Sequence, residues 1–282
     1  MRCPETASRN RRYGFSIDPV SRRRAGFTLA EAIIVIAITG IIATVVAVFL
    51  VGPVKGYFDT DRRAQLTDIA DTALRRMARD LRQALPNSVR INAGTALEFL
   101  HVTTAGRYCE QGPCDFLDFT SGTDSSFDVL GPGVPVQAGN RIVVYNLGVP
   151  GADAYSSSGN PDWRAAAAPF GAALTTVTFT PTGAPFPFAS PARRFQVVDM
   201  PVSYICSGSN LTRYWNYAIV AAQPNPPVGG SNALLASNVT SCSFTYGAGT
   251  TQRDALVTLQ LQLTSGGETV SLIEQAHVNN VP

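Results

Sequence analysis

Among the residues able to do chemistry in this chain, a carboxylate at the edge of a long apolar run stands out first. Glu31 directly precedes AIIVIAITGIIATVVAVFLV, the twenty uncharged residues from Ala32 to Val51. A carboxylate in that position is costly unless something pairs with it. One local answer is a capping box, with Thr28 as N-cap and Glu31 reaching back to its backbone N–H. The box does not account for Gly26-Phe27 just before it, nor for Arg22, Arg23 and Arg24 before those.

The other reactive residues form no catalytic constellation. Cys3 lies in the N-terminal segment, which leaves Cys109, Cys114, Cys206 and Cys242. An even count in an exported domain reads as two disulfides, and four cysteines allow three connectivities. Cys109–Cys114 and Cys206–Cys242 are favoured, because the first closes a short Glu-Gln-Gly-Pro turn and the second staples a longer loop. A zinc site is disfavoured, since Cys206 and Cys242 have no close second ligand and the chain holds two histidines. His101 and His277 fall in strand-like runs with no motif around them. Asp115, Asp118, Asp124 and Asp128 gather around a turn without EF-hand spacing and read as solvated loop acids. Asn210 and Asn238 head N-x-Thr sequons, and Trp163, Tyr214, Trp215 and Tyr217 read as strand packing. No phosphate loop, nucleophile elbow or paired-histidine motif is present. The expectation is therefore no catalytic residue, no metal and no cofactor.

Charge adds a second exclusion. Seven arginines against Glu5 and Asp18 give residues 1–26 a net charge of +5, so with a formal total of +2 the remainder carries −3. A nucleic-acid surface has no support beyond that leader.

The elements that must position these residues begin with the apolar run. At about 1.5 Å per residue it spans roughly 30 Å, the thickness of a hydrocarbon core. An ordinary secretory signal has a shorter apolar run with its small-residue cleavage site behind it; here the small residue, Gly26, stands in front. The arginines before the run put the N-terminus in the cytoplasm and the C-terminal portion outside it. Gly40 and Pro53 are weak points where this helix is expected to kink. Beyond Pro53 the pattern continues, with Leu66, Ile69, Ala73, Met77, Leu81 and Leu85 on one face and Asp71, Arg75, Arg76 and Asp80 off it. The helix is expected to end near Pro86-Asn87. Past that point come short β-branched or alternating runs: SVRI, ALEFLHV, RIVVYNL, TTVTFTP, FQVVDMPVSYIC and TRYWNYAIV. ALVTLQLQL and ETVSLIEQAHV, joined across Ser265-Gly266-Gly267, read as a hairpin. Gly148 to Phe170 and Ala222 to Ser231 read as loops.

GFTLAEAIIVIAITGIIA resembles the cleavage and methylation segment shared by type IV pilins and type II secretion pseudopilins. The resemblance implies a cut by prepilin peptidase between Gly26 and Phe27, methylation of the new Phe27 amine, and Glu31 as the fifth mature residue. It also implies that Glu31 pairs with the N-terminus of an adjacent subunit during assembly. A start at Val20 would leave a leader of seven residues, Val20 to Gly26. Further along, GPVKGYFDTDRRAQLTDIADTALRRMARDLRQALPNSVRI, VSYIC, LTRYW and VSLIEQAHVNNVP are similar to the O-type minor pilins of mannose-sensitive haemagglutinin (MSHA) pili. J-type minor pseudopilins of type II secretion share the same plan.

The expected fold is α+β and type IV pilin-like: one long N-terminal transmembrane helix whose C-terminal half packs on an antiparallel β-sheet. Residues 1–26 form a cytoplasmic leader, 27–52 a transmembrane and polymerisation helix, 53–86 its amphipathic continuation, and 87–282 an extracytoplasmic β-rich domain. The implied function is a minor pilin subunit, held in the inner membrane and then assembled into a pilus at the cell surface. Its implied partners are prepilin peptidase, other major and minor pilins, the inner-membrane assembly platform and membrane lipid. The alternatives are a J-type pseudopilin, a pilus-displayed adhesin module and an anchored periplasmic enzyme.

Overall fold

The computed structural model describes residues 26–157, 159–247 and 255–282. The arginine-rich leader, with Cys3, Val20 and Arg22 to Arg24, lies outside the described residues. The fold is α+β: one long helix, α1 (Leu29–Leu81), followed by strands that are all paired antiparallel. The chain divides into two compact units, one reaching Gly56 and the other spanning Tyr57–Pro282.

In the first unit α1 passes through Gly40 and Pro53 without losing its helical assignment. Pro53 has no N–H, so the carbonyl of Phe49 loses its usual donor there. The hydroxyls in this apolar stretch turn inward: Thr39 donates to the Val35 carbonyl at 2.6 Å, and Thr44 to the Gly40 carbonyl at 2.8 Å.

In the second unit α1 presents an apolar stripe. Leu66, Ala70, Ala73, Leu74, Met77, Ala78 and Leu81 are buried at helical spacing. The helix ends at Leu81, earlier than Pro86-Asn87. Gln83 and Ala84 close a tight turn on the Asp80 and Leu81 carbonyls. Ala84 then bridges to His101, and Leu85 donates to the Leu100 carbonyl at 2.8 Å. Pairing with a strand competes with the helix, and Pro86 biases Leu85 toward extended backbone.

The strands, in chain order, are β1 (Arg90–Asn92), β2 (Ala96–Arg107), β3 (Ser126–Asp128), β4 (Val134–Val136), β5 (Arg141–Val143), β6 (Trp163–Ala165), β7 (Gly171–Leu174), β8 (Thr176–Thr178), β9 (Arg194–Ser207), β10 (Asn210–Trp215), β11 (Ser231–Ala236), β12 (Val239–Gly247), β13 (Ala255–Ser265) and β14 (Glu268–Val278). The larger sheet runs β1-β2-β9-β10-β11. One side of β9 is shared: Val202 to Ser207 pair with β10, while Gln196 to Val198 pair with β5, which carries β6. A separate sheet runs β12-β13-β14, and the ribbons β3-β8 and β4-β7 complete the unit. The hairpin between β13 and β14 turns on Gly266 and Gly267, both at positive φ (58° and 90°), a conformation that side chains disfavour.

Three expectations change. The single sheet is two sheets plus ribbons, and the α1 stripe packs against both: its core includes Phe99, Val202 and Tyr204 from one sheet and Leu259, Leu261 and Ala276 from the other. The Gly148 to Phe170 loop contains β6, and β11 begins at Ser231. The TRYWNYAIV run stops being strand after Trp215, where Asn216 takes a φ of 59°. A second core, built on Tyr108, Phe127, Phe179, Phe186 and Phe195, fills the region between β2 and β9 in sequence. Gly106 is needed beside it, because a Cβ there would stand 2.7 Å from the Phe195 ring.

Asp80 departs from expectation as well, because it lies on the buried face at 7% exposure. Its Oδ2 accepts from the Tyr204 hydroxyl at 2.6 Å and from Arg213 Nε at 2.9 Å, and its Oδ1 accepts from Arg76 Nε at 3.2 Å. One carboxylate thus ties α1 to β9 and β10. Asp80→Ala leaves the nearly buried Arg213 without its acid, and is expected to cost about 3–5 kcal/mol of stability. Chemical denaturation of the detergent-solubilised chain reads this, and a loss below about 1 kcal/mol would contradict it.

Candidate functional site

Gly26, Phe27 and Thr28 are exposed and lie outside the helix, which starts at Leu29. The peptide bond between Gly26 and Phe27 therefore sits in open backbone immediately before the first helical turn, where no helical hydrogen bond must break for a protease to engage it. An added Cβ at Gly26 meets nothing within 4 Å, so local crowding does not require the glycine.

Thr28 caps the helix: its Oγ1 accepts from the Glu31 N–H at 3.3 Å, and its carbonyl accepts from the Ala32 N–H at 3.1 Å. The reciprocal half of the capping box is missing. The Glu31 carboxylate makes no hydrogen bond or ion pair among the described residues, and Glu31 is exposed. It stands in the first helical turn, where the helix dipole favours negative charge.

Beyond Glu31 the next charged residue is Lys55. Ile36, Ile41, Val48 and Phe49 in this stretch are two-thirds or more exposed. The helix is long and apolar enough to cross a membrane, with a mean hydropathy of 3.0 over its most apolar window, none of it buried. Threonine hydroxyls folded onto the helix and backbone groups paired within it, the Phe49 carbonyl opposite Pro53 excepted, suit the stretch to hydrocarbon. Pro53, near the end of the stretch, and Gly40, within it, both lie inside the helix.

The remaining candidates are dispersed. Cys109 is joined to Cys114 (Cα–Cα 6.5 Å) and Cys206 to Cys242 (Cα–Cα 6.4 Å), the latter linking β9 to β12 across the two sheets. His101 Nδ1 lies 2.8 Å from Asp199 Oδ1, but no hydroxyl or thiol joins the pair among the described residues; His277 is exposed on β14. The loop acids serve their own loop. Asp128 accepts from the Asp115 N–H and the Thr176 hydroxyl, Asp118 from both donors of Thr120, and Asp124 from the Asp118 N–H. The Thr176 and Thr120 hydroxyls hold Asp128 and Asp118 below the usual carboxylate range. Among the described residues no group of three or more acids, histidines or cysteines is placed to hold a metal. The aromatic residues separate: Trp163 donates to the Ser156 carbonyl at 2.7 Å beneath Arg141, Trp215 lies beneath Arg213, and the Tyr217 hydroxyl meets Ser203 Oγ at 2.6 Å.

Sequence reasoning missed the buried charges of the unit from Tyr57 onward. Glu98, 1% exposed, takes Arg90 Nη2 at 2.6 Å and Ser203 Oγ at 3.2 Å; burial raises its pKa and Arg90 opposes the rise. Arg164, also 1% exposed, is held by the carbonyls of Pro161, Trp163 and Ala184 and the Asn160 side chain. Asp162 between them in sequence is fully buried, and neither carboxylate oxygen has a hydrogen-bond partner. Burial, helped by Asp153, pushes its pKa up to about 7 against the opposing pull of Arg164 and Arg141. No local motif marks these residues: Glu98 depends on Ser203, 105 residues away, and Arg164 is held mainly by carbonyls, which any residue type supplies.

The folded chain keeps a proton on Asp162 that the unfolded chain has released above its ordinary pKa of 3.8. Stability therefore falls as pH rises from about 4 to about 7 and stays at the lower level above that. Asp162→Asn is expected to match the parent at pH 4 and to melt at higher temperature at pH 8. Equal melting temperatures at pH 8 would contradict this.

Neither a curated protein nor a solved structure matches the chain. A family model does match it, over residues 21–47, the segment that holds the exposed Gly26–Phe27 junction, the Glu31 turn and most of the apolar run. That model describes the prokaryotic N-terminal methylation motif, and over this segment the chain is type IV prepilin-like.

Proposed function

We propose that the chain is a minor pilin subunit of an MSHA-type type IV pilus, built to polymerise rather than to catalyse. The observation that carries this reading is the exposed Gly26–Phe27 bond one residue ahead of the helix cap, inside the matched methylation motif. Prepilin peptidase cuts that bond and methylates the Phe27 amine. The methylated amine remains a cation, and at the head of an apolar helix a cation is costly without a counter-charge.

Glu31 supplies the counter-charge. Its carboxylate has no cation within ion-pair reach among the described residues, which leaves it available to the N-terminus of an adjacent subunit. Pairing of that kind fixes the axial register of a helical bundle. Before assembly the subunit waits in the inner membrane, with its leader in the cytoplasm and the unit from Tyr57 onward in the periplasm; afterwards it lies in the pilus. Cys109–Cys114 and Cys206–Cys242 suit that oxidising compartment. The assembly platform and other pilins are its partners.

The same N-terminal segment serves a J-type pseudopilin of type II secretion equally well. A deletion strain separates the two: loss of surface pili supports the pilin, and loss of protein secretion with normal pili supports the pseudopilin.

Gly26→Val is expected to accumulate as uncleaved precursor and to abolish assembly. Glu31→Ala is expected to be cleaved but to enter filaments at least tenfold less. N-terminal sequencing of the mature parent should find methylated Phe27. Normal processing of Gly26→Val would overturn the cleavage assignment, and normal filament content of Glu31→Ala would overturn the charge-pairing role.

A further inference from the structure

A groove of about 500 Å³ runs between the end of α1, the β2–β9 pair and the C-terminal segment, lined by Arg82, Arg194, Gln196, Asn279, Val102 and Ala105 among others. No acid lines it. Arg82 also borders a neighbouring groove of about 420 Å³, where Arg75 and Arg79 face Asp71 and Glu274. Arg107 stands directly opposite Arg194 in the β2–β9 register, so the two project to the same face. Like charges placed opposite one another across a ladder are destabilising. Arg79, Arg82, Arg107 and Arg194 have no side-chain hydrogen bond or ion pair among the described residues, whereas Arg75 and Arg76 beside them are matched to Asp71 and Asp80. Arg82 and Arg194 thus line the groove with no acid opposite them, and Arg107 shares the face of Arg194.

The lining narrows the ligand. Guanidinium groups bind carboxylates in bidentate fashion. Gln196 lines the groove at 5% exposure, and its buried Oε1 has no hydrogen-bond partner. A bare anion has no N–H to satisfy it, while a peptide backbone does. Ala84, Pro86, Val102 and Ala105 add an apolar wall suited to a side chain. We propose that this groove docks an acidic, partly apolar peptide segment of a partner protein. The proposal does not rest on processing at Gly26.

The test uses the full chain in neutral maltoside micelles and a fluorescein-labelled peptide of alternating Glu and Leu, read by fluorescence anisotropy. Saturable binding is expected, at least tenfold weaker for the same peptide with Gln in place of Glu. Arg82→Gln and Arg194→Gln should each weaken it at least fivefold with unchanged melting temperature, and Arg62→Gln, on α1 away from the groove, should not. On the parent chain, a photo-crosslinking version of the peptide should attach near Arg82 and Arg194. Absence of saturation, equal weakening by Arg62→Gln, or crosslinks elsewhere would overturn the proposal. Displacement of the peptide by inorganic phosphate at comparable concentration, or by phosphatidylglycerol vesicles, would overturn it too, in favour of a simple anion site or a lipid surface.

Discussion

The unit from Tyr57 onward is organised by one helical stripe that two sheets must share. Small residues make this possible: Ala70, Ala73 and Ala78 are buried on α1 alongside Leu66, Leu74, Met77 and Leu81. Alanine lets strand side chains such as Phe99, Tyr204 and Leu261 come down onto the helix, and the larger residues fill what remains. Because β12-β13-β14 has no strand pairing with the larger sheet, the two are held through that shared core and through the Cys206–Cys242 bond. The disulfide closes a loop of 36 residues, which in the chain-entropy account is worth about 3–4 kcal/mol.

Charges are buried in this unit wherever chain segments distant in sequence converge. Asp80 gathers Tyr204, Arg213 and Arg76; Glu98 gathers Arg90 and Ser203. Such pairs add little net stability over apolar replacements, yet removing one partner is costly. They act as positional locks, since a helix or strand displaced by a residue would leave a bare charge inside. Asp162 is the exception, because neither of its carboxylate oxygens has a hydrogen-bond partner. Protonation is the remaining way to lower its cost, which is why its pKa moves up toward neutrality.

The N-terminal stretch follows the opposite logic. Its apolar side chains are exposed on every side. Exposure on that scale is stable only in lipid or against other helices. The charge-free run, the capped first turn and the lone carboxylate at Glu31 together describe a segment whose partners are supplied from outside the chain.

That segment was legible in the sequence because its signal is local. Gly26, Phe27, Thr28 and Glu31 are consecutive or nearly so, and twenty uncharged residues need no tertiary context to be read as helix. The stripe on α1 and the β13–β14 hairpin were legible for the same reason, as periods of three to four and of two that persist over many residues. Three-residue strands such as β3 and β6 were not, since so short a run cannot show a period. The helix end was misplaced because Leu85 is drawn off to pair with Leu100, a contact invisible to local pattern. Asp80 was set on the wet face by its charge alone; Tyr204 and Arg213, more than a hundred residues away, are what make its burial tolerable. The sequence by itself determined the elements with long local periods and the processing segment. The split into two sheets, the buried partners of Asp80 and the groove that joins Arg82 to Arg194 emerge at the tertiary level, because each depends on which distant side chains arrive at the same place.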